Sequence, residues 1–156
     1  MRLPILVLLV LLLPLVARAE EPAASQFREV LSAAEAHKAS GDGRLVLIDI
    51  RSHDEWRETG VPATAWAISM HQAQPAFLKA LAAATNGNKA APIALICATG
   101  SRSAFLAGWL RRYGYTAVSE VAEGVEGSSK GIGWARAALP MRRWQPGAVT
   151  PVAAAR

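Results

Sequence analysis

The sequence predicts an α/β fold, a single domain with a mostly parallel central sheet flanked by helices. Three observations predict it. Apolar runs of strand length alternate with amphipathic stretches between residues 25 and 138, the pattern of parallel strands joined by crossover helices. Two of those runs, residues 45–50 and 92–96, are rich in Val, Ile and Leu on both faces, as strands buried in a parallel sheet are. Asp49 and Cys97 fall where these two runs end, and α/β sheets bind their ligands at the carboxyl ends of strands.

The elements follow in order. Ser25 is the N-cap of a first helix carrying Phe27, Val30, Leu31 and Ala34 on one face, and Gly41-Asp42-Gly43 ends it. The strand over 45–50 comes next. Ser52 and Glu55 have the spacing of a capping box, so a short helix follows and Gly60-Val61-Pro62 breaks it. Residues 65–68 form a short strand. Gln74-Pro75 opens another helix with Phe77, Leu78, Leu81 and Ala84 as its buried stripe. Asn86-Gly87-Asn88 is a turn. The strand before Cys97 leads into a helix from Ala104 that ends at Arg111-Arg112-Tyr113-Gly114. Residues 115–121 hold the last strand, 124–133 a glycine-rich loop, and 134–138 a short helix. Leu139-Pro140 opens the tail, which after Gly147 is rich in Ala, Pro and Val and frays. Trp56, Trp66, Trp109 and Trp134 sit in apolar context and belong to the core, whereas Trp144, beside Arg142-Arg143, belongs to the surface.

The first nineteen residues read as a secretory signal. Arg2 supplies a basic start, residues 3–16 are almost wholly apolar, and Ala17-Arg18-Ala19 is a small-x-small cleavage site. Fourteen positions fall short of the roughly 20 that span a membrane; the competing reading is an uncleaved N-terminal anchor. The expected organisation is therefore a signal peptide over 1–19, one domain over 20–146 and a flexible tail over 147–156, in an exported and periplasmic protein. Setting aside Arg2 and Arg18 leaves 15 basic residues against 12 acidic ones, a net charge of +3. That mild balance suits small anionic substrates. The basic residues form no extended face, so no nucleic-acid partner is expected, nor a membrane once the signal is removed. One cysteine excludes an internal disulfide, and the three histidines lack metal-ligand spacing, so neither a metal nor a cofactor is expected.

A lone thiol in an oxidising compartment needs burial or a purpose. Cys97 opens the stretch Cys97-Ala98-Thr99-Gly100-Ser101-Arg102-Ser103, between a strand end and a helix start. Backbone N–H groups and the helix dipole favour an anion there. Arg102 adds positive charge, while Thr99, Ser101 and Ser103 add hydroxyl donors. Gly100 lets the chain bend tightly. The plain alternative is a small buried hydrophobe, but reactive thiols need such surroundings and buried structural ones do not.

These residues resemble the rhodanese family of sulfurtransferases. The stretch from Leu95 to Ala104 matches that family's active-site loop almost residue for residue. Leu47-Ile48-Asp49-Ile50-Arg51-Ser52 with Glu55-Trp56 looks like its D-x-R…E-W segment, and Gly60-Val61-Pro62-Ala63 like a departed form of its G-H-I-P-G-A turn. Tyr113-Gly114-Tyr115, Glu123-Gly124, Trp134 and Leu139-Pro140 follow in the expected order, so the resemblance spans about residues 26–144. It implies a single rhodanese-like domain in which Cys97 accepts a sulfane sulfur as a persulfide. The residues from Ala98 to Ser103 would stabilise that species before a thiophile removes the sulfur. The implied partners are a small anionic sulfur donor such as thiosulfate and a thiophilic acceptor, including a protein sulfur acceptor. Residues 125–133 lengthen the connection after Glu123-Gly124, and that connection should lie close to the Cys97 loop. It would then form a pocket wall with Lys130 as an anion contact, or else a solvated glycine loop. Asp49 and Arg51 are further pocket candidates, although an ion pair of Arg51 with Asp49 or Glu55 is the alternative role. Arg102 has two readings as well, a substrate contact or a salt bridge at the helix start. His53 reads as solvent-facing.

Two rival functions stand beside this one. A phosphatase or arsenate reductase would resemble Cys-x5-Arg; here the interval is Cys97-x4-Arg102, a tighter loop that suits one sulfur better than a tetrahedral oxyanion. The other rival is a sulfur-carrying or partner-binding module loaded at Cys97 without free turnover.

Overall fold

The centre of the sheet is built from the two strands with the most continuous aliphatic sequence. Residues 29–151 are described in the computed structural model; the signal reading, Ser25 and Phe27 lie outside them. Strands β1 (Val30–Leu31), β2 (Val46–Asp49), β4 (Ala65–Ala67), β5 (Ile93–Ile96) and β6 (Val118–Val121) form one parallel sheet in the order β1-β6-β5-β2-β4. Strands β3 (Val61–Pro62) and β7 (Met141–Arg142) pair antiparallel beside it. Helices α1 (Ala33–Gly41) and α2 (His53–Thr59) cover one face, and α3 (Gln74–Ala84) and α4 (Ser101–Arg112) the other.

Alternation along the strands sorts the core into two layers. Leu47, Ala94 and Ile96 face α1 and Trp56, with Trp134 and Trp144 beneath; Ile48, Ile93, Leu95 and Cys97 face α3 and α4. The register sets Asp49 against Ile96, so β2 and β5 end together and deliver the next residues to one end of the sheet. The α/β class and the parallel centre are as the sequence predicts.

Several local expectations are corrected. Val30 and Leu31 are not helical: Leu31 pairs with Val121 and is buried in strand β1. The helix begins at Ala33 behind Ser32, whose hydroxyl accepts from the Glu35 N–H while Glu35 accepts from the Ser32 N–H. That second capping box competes with the apolar spacing that suggested an earlier start. Ala34 is in the helix but faces solvent; Ala33, Ala36 and Ala39 are buried instead. Residues 134–138 form a turn, closed by Ala138 at φ 53°, which points Met141 back to pair with β3. Trp144 is buried rather than superficial. Its ring lies 5.0 Å from His53 and 5.4 Å from Trp56, with the Arg57 guanidinium over it at 5.7 Å. His53 is exposed, as expected. At Val149 the chain lies against β4, where the Ala67 N–H donates to the Val149 carbonyl at 2.8 Å; residues 152–156 of the expected tail lie outside the described residues.

Candidate active site

Cys97 follows β5 directly, and its side chain is fully covered. The Gly100 N–H donates to Sγ at 3.2 Å. Ser103 Oγ lies 3.7 Å from Sγ and donates to the Gly100 carbonyl at 2.8 Å. Gly100 thus contributes its N–H to the sulfur and its C=O to the hydroxyl beside it. Its φ of +93° lets one residue do both. No side chain caps α4, so its first-turn N–H groups have no partner within the helix and suit an anion held in the loop.

The loop is braced from behind. The N–H groups of Val125 and Glu126 donate to the carbonyls of Cys97 and Ala98, each at 2.9 Å. The expectation that residues 125–133 approach the thiol loop therefore holds at its first two residues. Glu123, buried, ties the far ends together by accepting from Ala33 N–H at 2.6 Å and Gly133 N–H at 2.8 Å. Lys130 Nζ lies 3.8 Å from Glu120 Oε1 on β6, an ion pair that competes with the anion contact expected of it.

Ala98 is nearly covered, Ser103 is buried, and Thr99 and Ser101 are exposed at the rim. Arg102 bonds both oxygens of Glu55, at 2.5 and 2.9 Å, and its Nη1 sits 3.3 Å from His71 Nε2. Since a guanidinium has no acceptor, that contact requires an unprotonated Nε2 on His71. Glu55 first, and then Cys97 alongside, raise the Arg102 pKa above its ordinary value. Asp49 and Arg51 do not line the pocket. Both are wholly buried on the α2 side of the sheet, and Arg51 is spent on Asp49, Thr59 Oγ1 and the Gly60 carbonyl. Strand alternation turns Asp49 away from the face that Cys97 shares with α4, and a carboxylate buried there needs a cation.

The sequence reading missed His71 and gave Glu55 a capping role or an ion pair with Arg51, whereas Arg51 pairs with Asp49 and Glu55 with Arg102. Glu55 thus does two things: it caps α2 from its N3 position and holds Arg102 at the rim. A charge spacing within the chain gives no sign of the second role, because Glu55 and Arg102 are 47 residues apart. The Glu55 carboxyl is held down to about 2 by Arg102, with the Ser52 bonds assisting against the opposing cost of burial. A depressed acid contributes stability that is complete above its unfolded value near 4.5 and is lost as pH falls toward 2. Glu55→Gln is therefore expected to cost about 1 kcal/mol near neutral pH, discounted for a partly exposed pair. It should also flatten the acid limb of denaturant melts in that window. An unchanged acid limb would mean that the pair does not persist in solution.

Fold and loop together define an α/β domain organised around one shielded cysteine at a strand–helix junction. The Rhodanese-like domain model matches residues 32–130, and the chain belongs to that family. It is 27% identical to a protein from M. tuberculosis whose crystal structure it matches with a TM-score of 0.56, over 76% of this chain and 99% of that one. The polysulfide-sulfur transferase homodimer from Wolinella succinogenes matches at 25% identity and a TM-score of 0.55, over 77% of this chain and 82% of that one. An uncharacterized protein from Rickettsia rickettsii is 27% identical over 103 residues, 64% of this chain and 81% of that protein.

Proposed function

We propose that the protein is a sulfurtransferase that carries a sulfane sulfur on Cys97 as a persulfide, taking it from an anionic donor such as thiosulfate and yielding it to a thiophile. The observation that carries this reading is the Gly100 N–H aimed at Sγ at 3.2 Å, in a loop with an uncapped helix start. A terminal persulfide anion extending from Sγ meets backbone donors there. Membership of the rhodanese-like family and the likeness to a polysulfide-sulfur transferase support the same chemistry. In the loading step the Cys97 thiolate attacks the outer sulfur of thiosulfate. The new S–S bond forms as the old one breaks, and sulfite leaves with the bonding pair. Against an oxyanion enzyme stands Arg102, whose guanidinium is taken by Glu55.

Intact mass of the exported protein, before and after thiosulfate, tests the reading together with the proposed signal cleavage after Ala19 and periplasmic location. The expected result is a chain beginning at Glu20 that gains one sulfur, loses it to cyanide, and gains none as Cys97→Ser. Cyanide release separates the adduct from oxidation by two oxygens, which has nearly the same mass. Steady turnover with thiosulfate and cyanide distinguishes an enzyme from a carrier module. No cyanide-labile adduct from any sulfane donor would overturn the persulfide reading.

A further inference from the structure

Residues 59–119 contain neither aspartate nor glutamate, yet they hold Lys79, Lys89, Arg102, Arg111 and Arg112. Both α3 and α4 fall in this run and cover the same face of the sheet. That face is cationic with no acids of its own. Arg102 borrows Glu55 and Arg111 borrows Glu29, at 3.8 Å, from outside the run. Lys89 donates to the Tyr113 carbonyl at 3.0 Å. Lys79 and Arg112 are exposed and have no acidic partner among the described residues.

The same face exposes aromatic surface. Phe105, Trp109 and Tyr113 recur every four residues along one side of α4 and its C-cap. Phe105 is 66% exposed and Tyr113 44%, with the Trp109 and Tyr113 rings stacked 4.8 Å apart. Beside them a groove of about 270 Å³ runs between Met70, Phe77, Leu106 and Trp109, with Gln72 and Gln74 lining it too. It begins one turn along α4 from Arg102 and Ser103, and next to His71. Apolar surface beside exposed cations without an acidic partner, Lys79 and Arg112, selects a partner that is apolar and acidic.

We propose that this face docks a protein sulfur acceptor, an acidic segment whose apolar side chain fills the groove and whose cysteine thereby reaches Cys97. The proposal rests on the persulfide reading above. In the step it serves, the acceptor thiolate attacks the outer sulfur of the Cys97 persulfide. One S–S bond forms on the acceptor as the other breaks, and the electron pair returns to Sγ as a thiolate. A concave slot lined by glutamine amides suits a side chain and its hydrogen-bonding backbone better than acyl chains.

The test uses the full chain loaded with sulfur and three synthetic cysteine peptides. One carries glutamates and a Leu-Phe pair ahead of its cysteine, one replaces the glutamates by lysines, and one keeps the glutamates but replaces Leu-Phe by Ala-Ala. Transfer should be about tenfold or more faster to the first than to either other, with the charge-dependent advantage fading as salt rises. Phe105→Ser should remove the advantage of the Leu-Phe pair while leaving sulfur release to cyanide unchanged. Equal rates for the three peptides, or an advantage that survives Phe105→Ser, would overturn the proposal. So would Phe105-dependent self-association in sedimentation, or Phe105-dependent binding to phosphatidylglycerol vesicles, in the absence of any peptide preference. If no cyanide-labile sulfur loads, the persulfide reading fails separately. The surface is then read by fluorescence polarisation of the acidic Leu-Phe peptide with serine in place of cysteine. Saturable binding abolished by Phe105→Ser supports docking, and no binding overturns it.

Discussion

Asp49→Ala is expected to destabilise the protein by about 3–5 kcal/mol, because it leaves the Arg51 charge buried without its counterion. Both side chains are wholly covered. Arg51 Nη2 lies 2.7 Å from Asp49 Oδ2, and Nε donates to both carboxylate oxygens. The other guanidinium bonds go to Thr59 Oγ1 and the Gly60 carbonyl, both at 2.7 Å. The pair therefore ties the end of β2 to the turn that carries α2 into β3. Removing both charges together, as Asp49→Leu with Arg51→Met, should recover much of the loss, since the largest part is the unpaired ion rather than the lost attraction. Denaturant unfolding of the single and double variants decides this. A loss near 1 kcal/mol for Asp49→Ala would mean that water reaches the pair. Because Asp49 faces the α2 side and Cys97 the α4 side, the folded fraction of the single variant should still load sulfur.

That separation of faces also explains what the sequence discloses and what it conceals. The strand at 45–50, the capping box at Ser52 and Glu55, the proline-started helix at Gln74 and the cysteine loop are all written in neighbouring residues, and all are legible. Asp49 and Arg51 are legible as an ion pair but not as an interior one, because a motif names residues without saying which face of the sheet they occupy. Val30 and Leu31 satisfy helical spacing and strand pairing equally well, and only their partners on β6 decide between the two. The burial of Trp144 depends on His53, Trp56 and Arg57, about ninety residues earlier. The rim of the candidate site is assembled in the same non-local way. Glu55 leaves α2, His71 follows β4, and Arg102 opens α4. The cysteine is visible in the sequence; the charge network over it appears only once three separate segments converge.

Gly100→Ala should damage stability and chemistry together. A Cβ at Gly100 would stand 2.0 Å from the Ala122 carbonyl oxygen and 2.7 Å from its carbon. Those are backbone atoms at the end of β6, held by the Ala122 N–H bond to Leu31, so they have little room to yield. The residue also has φ +93°, where an L side chain is strained. Strain and overpacking together should cost about 2–5 kcal/mol. Relief requires the Gly100 peptide to move, and that peptide supplies the N–H on Sγ. Displacing it by about 1 Å should slow sulfur loading by roughly a hundredfold. Gly124→Ala attacks the same junction from the other side, with a Cβ 2.2 Å from the Ala98 carbonyl oxygen at φ +68°. Gly87→Ala is the control: φ is +73° there, but nothing lies within 4 Å. It should show the conformational cost alone, about 1–2 kcal/mol, with loading unchanged. If Gly100→Ala were no worse than Gly87→Ala in both denaturant melts and sulfur uptake, the close approach of the loop to β6 would not constrain the thiol. The glycines would then serve only the turn. A large difference assigns the constraint to contact, and makes the backbone at Ala98 and Ala122 part of what shapes the site around Cys97.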